Sequence, residues 1–193
     1  MNLVRAFIAL EVPTPLQDAI QTTTAEIRKT LGSDLIRWTP ATNIHLTLKF
    51  LGDVSSANIE IIKEMLAIET AQYPCFDMSV EGIGSFPTPR RPRVLWVGLN
   101  LPASFASLQR GIETASARLG YPAEEHGFSP HLTIGRVRQN PSSADLQKIH
   151  MALEDTKIGS LGTGHINAIH LFKSDLQPGG SVYTRLFTAP LRR

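Results

Sequence analysis

The tetrapeptide His45-Leu46-Thr47-Leu48 constrains this chain more than any other stretch, because it recurs as His131-Leu132-Thr133-Ile134. Only six histidines occur in 193 residues, and two of them open the same His-x-Thr-x pattern with aliphatic residues in both x places. The run IHLTLKFL at 44–51 alternates as a half-buried strand does. Successive strand side chains point to opposite faces. Alternation therefore assigns His45, Thr47 and Lys49 to one face and Leu46, Leu48 and Phe50 to the other. The same parity puts His131 with Thr133 and turns Leu132 and Ile134 inward. Each motif then offers an imidazole and a hydroxyl about 7 Å apart on an open face backed by core. Two such faces in one chain suggest a catalytic groove.

The remaining elements are ordered around these motifs. Residues 4–12 read as a strand, and Thr14-Pro15 opens a helix striped by Leu16, Ile20, Ile27 and Leu31 and closed at Gly32. The first motif strand covers about 43–51. Ser55 or Ser56 caps a helix striped by Ile59, Ile62 and Leu66, and a strand falls within 76–86. After the breaker-rich run at 87–93 the order repeats: strand 94–99, a helix striped by Phe105, Leu108, Ile112, Ala115 and Leu119, and the second motif strand at about 128–137. A helix capped by Ser142 and a strand at 166–172 complete the second copy, and a last strand covers 181–187. The unit strand, helix, motif strand, helix, strand thus occurs twice, in halves of about 1–88 and 89–193. A repeat this long predicts one α+β domain of two lobes related by a pseudo-twofold axis, each bringing a motif strand to a shared cleft.

Composition sets few further limits. A formal charge of +2 permits a nucleic-acid substrate without requiring one. The single cysteine, Cys75, excludes an internal disulfide and points to a reducing compartment, so a cytoplasmic location is expected. Apolar runs are too short for a membrane span, and the opening MNLVRAFIALEV is too short before Glu11 to act as a signal peptide.

Imidazole titrates near pH 6.5, so one histidine on each side of a phosphate suits in-line displacement. One removes a proton from the incoming oxygen and the other protonates the leaving oxygen. The neighbouring threonine hydroxyls can donate to the non-bridging oxygens. This chemistry needs neither metal nor nucleotide cofactor, and none is expected.

The stretches RWTPATNIHLTLKFLG (37–52), FSPHLTIGR (128–136), RAFIALEVP (5–13), RPRVLWVGL (91–99) and GSVYTRLF (180–187) resemble the two-histidine phosphoesterase superfamily. Within it the chain is most similar to the RNA 2′,3′-cyclic phosphodiesterases, also called 2′-5′ RNA ligases. The resemblance spans nearly the whole chain, and neither motif departs from the family pattern. It implies antiparallel sheets lining a central groove with helices outside. It also implies opening of terminal 2′,3′-cyclic phosphates to 2′-phosphomonoesters, with 2′-5′ ligation as the reverse reaction. Carried over, it makes His45 the proton donor, His131 the proton acceptor, and Thr47 and Thr133 the phosphate-binding residues. The implied partner is RNA with a 2′,3′-cyclic phosphate end, tRNA fragments among the candidates, or a cyclic nucleotide, handled by a monomer.

Other residues rank lower. Lys49 faces the groove by parity, to meet RNA phosphate or to stand as a solvated strand lysine, whereas Arg136 and Arg138 have the opposite parity from His131 yet lie near the strand end, where parity often fails. Arg90, Arg91 and Arg93 could guide RNA or form a solvated turn. Trp38 could stack a base, and Trp96 reads as core. A metal site joining His126 to His131 beside Glu124 and Glu125 lacks a recognisable ligand spacing. His150, His165 and His170 read as surface or structural residues. The alternative function is a module that captures nucleotide or RNA ends without turnover.

Overall fold

Local sequence rules account for most of the elements in the computed structural model, which describes residues 3–124, 127–177 and 180–193. β1 (Leu3–Glu11) ends at Pro13, and α1 (Thr14–Thr23) starts with a proline in its first turn. The single helix expected over 14–31 is two helices, because three consecutive β-branched residues, Thr22, Thr23 and Thr24, weaken its middle. The Thr24 hydroxyl donates back to Ile20 O at 2.7 Å, and α2 (Ala25–Leu35) starts afresh beyond it. Gly32, with φ 71°, interrupts α2 before the short β2 (Ile36–Trp38), a strand the alternation did not reveal.

A 3-10 turn (Ala41–Asn43) leads into β3 (His45–Ser55), followed by α3 (Ser56–Thr70), whose N-terminus is capped by Ser55. β4 (Phe76–Thr88) and β5 (Arg91–Asn100) form a hairpin, then come α4 (Ala103–Arg118) and β6 (Leu132–Val137). α5 (Ser143–Asp155) opens with a capping box in which Ser142 Oγ accepts from Asp145 N at 3.1 Å. The strand expected at 166–172 is two strands, β7 (Thr163–Ile166) and β8 (Ala168–Gln177), and β9 (Gly180–Pro190) closes the fold.

All pairings between strands are antiparallel. One sheet has the order β3-β1-β8-β9, the other β2-β6-β5-β4-β7. The halves of the sequence repeat are exchanged between the sheets. The chain steps from one sheet to the other at Asn167, between β7, which pairs with β4, and β8, which pairs with β1. The first sheet thus takes β1 and β3 from one half and β8 and β9 from the other, and its helices α3 and α4 also come from different halves. A cut after residue 88 divides the repeat and not the lobes. One continuous core joins them, with Ile8, Leu10, Leu46 and Leu66 on one side and Leu95, Val97, Leu132 and Ile149 on the other. The first sheet curls until Asn43 Nδ2, ahead of β3, donates to Ser181 O on β9 at 3.0 Å.

Candidate active site

The two motif strands carry the same irregularity at the same place. β3 pairs with β1 through Thr47↔Ala9 and then Lys49↔Ile8, so Leu48 is an extra residue with no partner of its own. β6 pairs with β5 through Thr133↔Trp96 and then Gly135↔Leu95, leaving Ile134 as the extra residue. Both bulged residues are buried. Each bulge reverses parity for the residues beyond it, while the histidine and threonine before it keep the faces that alternation gave them.

Lys49 is therefore not in the groove. It is 1% exposed, with Nζ 2.6 Å from Glu113 Oε1 and a second bond to the carbonyl oxygen of Pro122. Glu113 also accepts from Glu124 N at 3.0 Å and from Gln109 Nε2 at 3.4 Å, so the buried pair ties β3 to α4 and to the loop after it. Phe50 turns out instead, 58% exposed and 6.2 Å from the Phe7 ring. On β6 the same reversal returns Arg136 to the face of His131, against the parity reading. Phe50 and Arg136 hold matching positions after their bulges.

The histidines are held alike. His45 Nδ1 lies 2.8 Å from Asn43 O, and His131 Nδ1 lies 2.8 Å from Ser129 O, in each case the carbonyl two residues earlier. A carbonyl oxygen only accepts, so each Nδ1 carries a proton and donates it. This leaves Nε2 of both rings to take or give a proton, and neither has a protein partner among the described residues. Aromatic rings fix the imidazole planes: Tyr183 meets His45 edge-on at 5.2 Å with Phe7 tilted against it at 4.9 Å, and Phe86 meets His131 edge-on at 4.9 Å.

Two anchored imidazoles, each followed by a threonine on the same face of a matching strand, describe a two-histidine site. A family model described as "LigT like Phosphoesterase" matches residues 10–96 and 99–183. The chain belongs to that family. Among its relatives, the RNA 2′,3′-cyclic phosphodiesterase of Methanothermobacter thermautotrophicus is 32% identical over 183 residues, 94% of this chain and 95% of that one. A crystal structure of TT0787 from Thermus thermophilus superposes with a TM-score of 0.79 at 23% identity, over 97% of this chain and 98% of that one. Escherichia coli LigT complexed with 3′-AMP gives a TM-score of 0.75 at 23% identity over the full length of both chains.

Within this LigT like phosphoesterase the two histidines have different surroundings. Burial pushes the His45 pKa below the ordinary imidazole value, and the nearby charges of Arg136 and His131 push the same way. The carbonyl of Asn43 and the carboxylate of Glu11 oppose them. Glu11 was not singled out by motif reasoning. It is the direct cross-strand partner of His45, is ion-paired with Arg185, and has Oε2 3.9 Å from His170 Nε2.

Trp96 also belongs to the site and not to the core. It stands opposite Thr133 and packs 5.3 Å from Phe86, which in turn edges His131. Gly84 makes room for it, since a Cβ there would lie 2.4 Å from the indole. Trp38 goes the other way. It packs over Gly135, donates from Nε1 to Gly32 O at 3.1 Å, and carries the Arg28 guanidinium 4.9 Å above its ring, so it offers no platform for a base. Arg138 donates to Ser33 O and ties β6 to α2, while Arg90, Arg91 and Arg93 sit exposed at the β4–β5 hairpin.

His150 lies on α5 with Nε2 3.5 Å from Glu154, and His165 pairs with Asp77 at 2.7 Å. His170 is buried on the groove face, its Nδ1 3.1 Å from the Thr188 hydroxyl, and burial lowers its pKa. His126 and Glu125 lie outside the described residues. Among the described residues no three His, Cys, Asp or Glu side chains converge as a metal-ligand group, and no helix is long and apolar enough to cross a membrane.

Proposed function

We propose that this chain hydrolyses terminal RNA 2′,3′-cyclic phosphates to 2′-phosphomonoesters, with His45 as acid, His131 as base and Thr47 and Thr133 on the phosphate. One observation carries the reading: two histidines anchored through Nδ1 by equivalent carbonyls, on equivalently bulged strands of two sheets. The activity named for the Methanothermobacter thermautotrophicus relative and the 3′-AMP bound by Escherichia coli LigT agree with it.

The steps balance without a co-reactant. Water attacks phosphorus as His131 Nε2 takes its proton. The P–O3′ bond breaks in line, and O3′ leaves with the proton from His45 Nε2. The threonine hydroxyls and the Arg136 guanidinium meet charge on the non-bridging oxygens. The burial that lowers His45 opposes a role as acid before substrate binds. An anionic phosphodiester beside it, with Glu11 on the adjacent strand, raises its pKa, so that the ring takes a proton from solvent and holds it for O3′. Exchange of water for a 5′-hydroxyl gives 2′-5′ ligation by the same two proton transfers, His131 taking the proton of the incoming hydroxyl and His45 protonating O3′. The proposal includes action as a monomer without metal, on RNA ends such as those of tRNA fragments.

Incubation with a nucleoside 2′,3′-cyclic phosphate, with and without a strong chelator, tests the proposal, the phosphate position being read by NMR. A 2′-phosphate product at an undiminished rate is expected, over a bell-shaped pH profile belonging to the coupled histidines. Loss of activity on chelation discards the metal-free mechanism. Binding without turnover leaves only capture of RNA ends.

A further inference from the structure

The groove extends past His45. A cavity of about 400 Å³ lies beyond Glu11 at the end of β1, where the chain crosses from β7 to β8. Glu11 and His170 form its boundary toward the catalytic face, and Thr14, Thr42, His165 and Asn167 line it farther out. The side chains of Thr14, Thr42 and Asn167 make no hydrogen bond to protein among the described residues, so their donors and acceptors are available. No lysine or arginine lines the cavity. Its size suits a nucleoside, and its lining favours neutral hydrogen-bonding groups over a phosphate.

The chemistry of the site says which part of a substrate lies there. This step rests on the proposed reading that His45 protonates O3′ and His131 activates water. O2′ and O3′ belong to one ribose, so the terminal nucleoside lies on the His45 side of the phosphorus and the water on the other. The base and C5′ leave that ribose from opposite ends of its ring. Along β1 and β3 the pair Phe7↔Phe50 lies in one direction from His45, and Glu11 and Thr42 lie in the other. The aromatic direction accepts a base, and the polar direction accepts the 5′ extension. We propose that the cavity holds the ribose and base of the nucleotide preceding the cyclic end, so that the preferred substrate is an oligonucleotide. The linking phosphodiester passes the mouth of the cavity, where Glu11 holds Arg185.

The test compares kcat/KM for a nucleoside 2′,3′-cyclic phosphate and for a dinucleotide ending in the same nucleoside cyclic phosphate. Two hydrogen bonds of ordinary strength amount to about 30-fold, so a preference of about 30-fold for the dinucleotide is expected, mainly in KM. Asn167→Trp fills the cavity from an exposed position. It should abolish the preference and leave the mononucleotide rate within about twofold, which also shows that the variant folds. Equal kcat/KM for the two substrates in the unmodified protein, or a preference surviving in Asn167→Trp, overturns the cavity assignment while the two-histidine reading stands. Failure to turn over either substrate overturns both.

Discussion

Lys49→Met tests whether the bulge at Leu48, and not simple alternation, decides what reaches the groove. The substitution keeps an unbranched apolar stem and removes the ammonium. Among the described residues it leaves Glu113 with Gln109 Nε2 and Glu124 N as partners. Breaking a buried pair from one side costs about 3–5 kcal/mol, because the abandoned charge stays buried. Glu113 is 17% exposed and keeps two donors, which puts this case at the lower end, about 3 kcal/mol. With an unfolding entropy of about 2.1 cal/mol/K per residue over 193 residues, that loss lowers Tm by ~7 °C. Thermal unfolding followed by circular dichroism reads it directly. The double variant Lys49→Met with Glu113→Leu should lose less than the sum of the single variants by at least about 1 kcal/mol, since the second change removes the orphaned charge. The salt dependence of KM should be the same in Lys49→Met as in the unmodified protein. A groove lysine would behave oppositely. A Tm shift under about 2 °C, together with weaker substrate binding and a shallower salt slope, would refute the bulge argument.

His45→Ala and His131→Ala should each lower kcat by about 10²- to 10⁴-fold with Tm little changed, and a loss below about tenfold at either position removes that residue from the chemistry. A phosphodiester whose 3′ leaving group has a low pKa should partly restore turnover to His45→Ala and not to His131→Ala, measured as single-turnover rates. Restoration of the other variant reverses acid and base. Arg136→Ala should reduce kcat/KM for the cyclic phosphate by about tenfold, as expected for an exposed charge-assisted hydrogen bond, whereas Arg138→Ala should act on Tm. Burial lowers the folded-state pKa of both His45 and His170, so the unfolded chain takes up protons first as pH falls. Stability should decline as pH drops from about 7 through the unfolded histidine pKa near 6.5 toward the lowered folded values. His170→Gln should show a smaller loss over that interval, and an equal or larger loss in that variant contradicts the assignment.

Much of the site was legible in the sequence, for a local reason. Over three residues a strand has little choice, so His45 shares a face with Thr47, and His131 with Thr133, whatever the strands pair with. The caps at Ser55 and Ser142 and the proline that opens α1 are equally local, since each satisfies or removes a backbone donor within one helical turn. The repeat of the motif required two similar surfaces, and the family resemblance supplied their facing arrangement.

What the sequence could not decide depends on partners distant in the chain. A bulge exists only relative to the strand opposite, so the parity of Lys49, Phe50 and Arg136 came from pairing with β1 and β5 and not from the order of residues. Trp96 carries no sign of its face until Gly84 and Thr133 are known to flank it. Glu11 acquires a role only when β1 lies beside β3 and Arg185 arrives from β9. The crossing at Asn167, which takes β8 and β9 to the first sheet and lines the cavity beyond Glu11, is a choice of strand order. Strand order is settled by which buried faces fit together, so the sequence alone determined which imidazole and hydroxyl share each strand face, and tertiary packing decided what surrounds them.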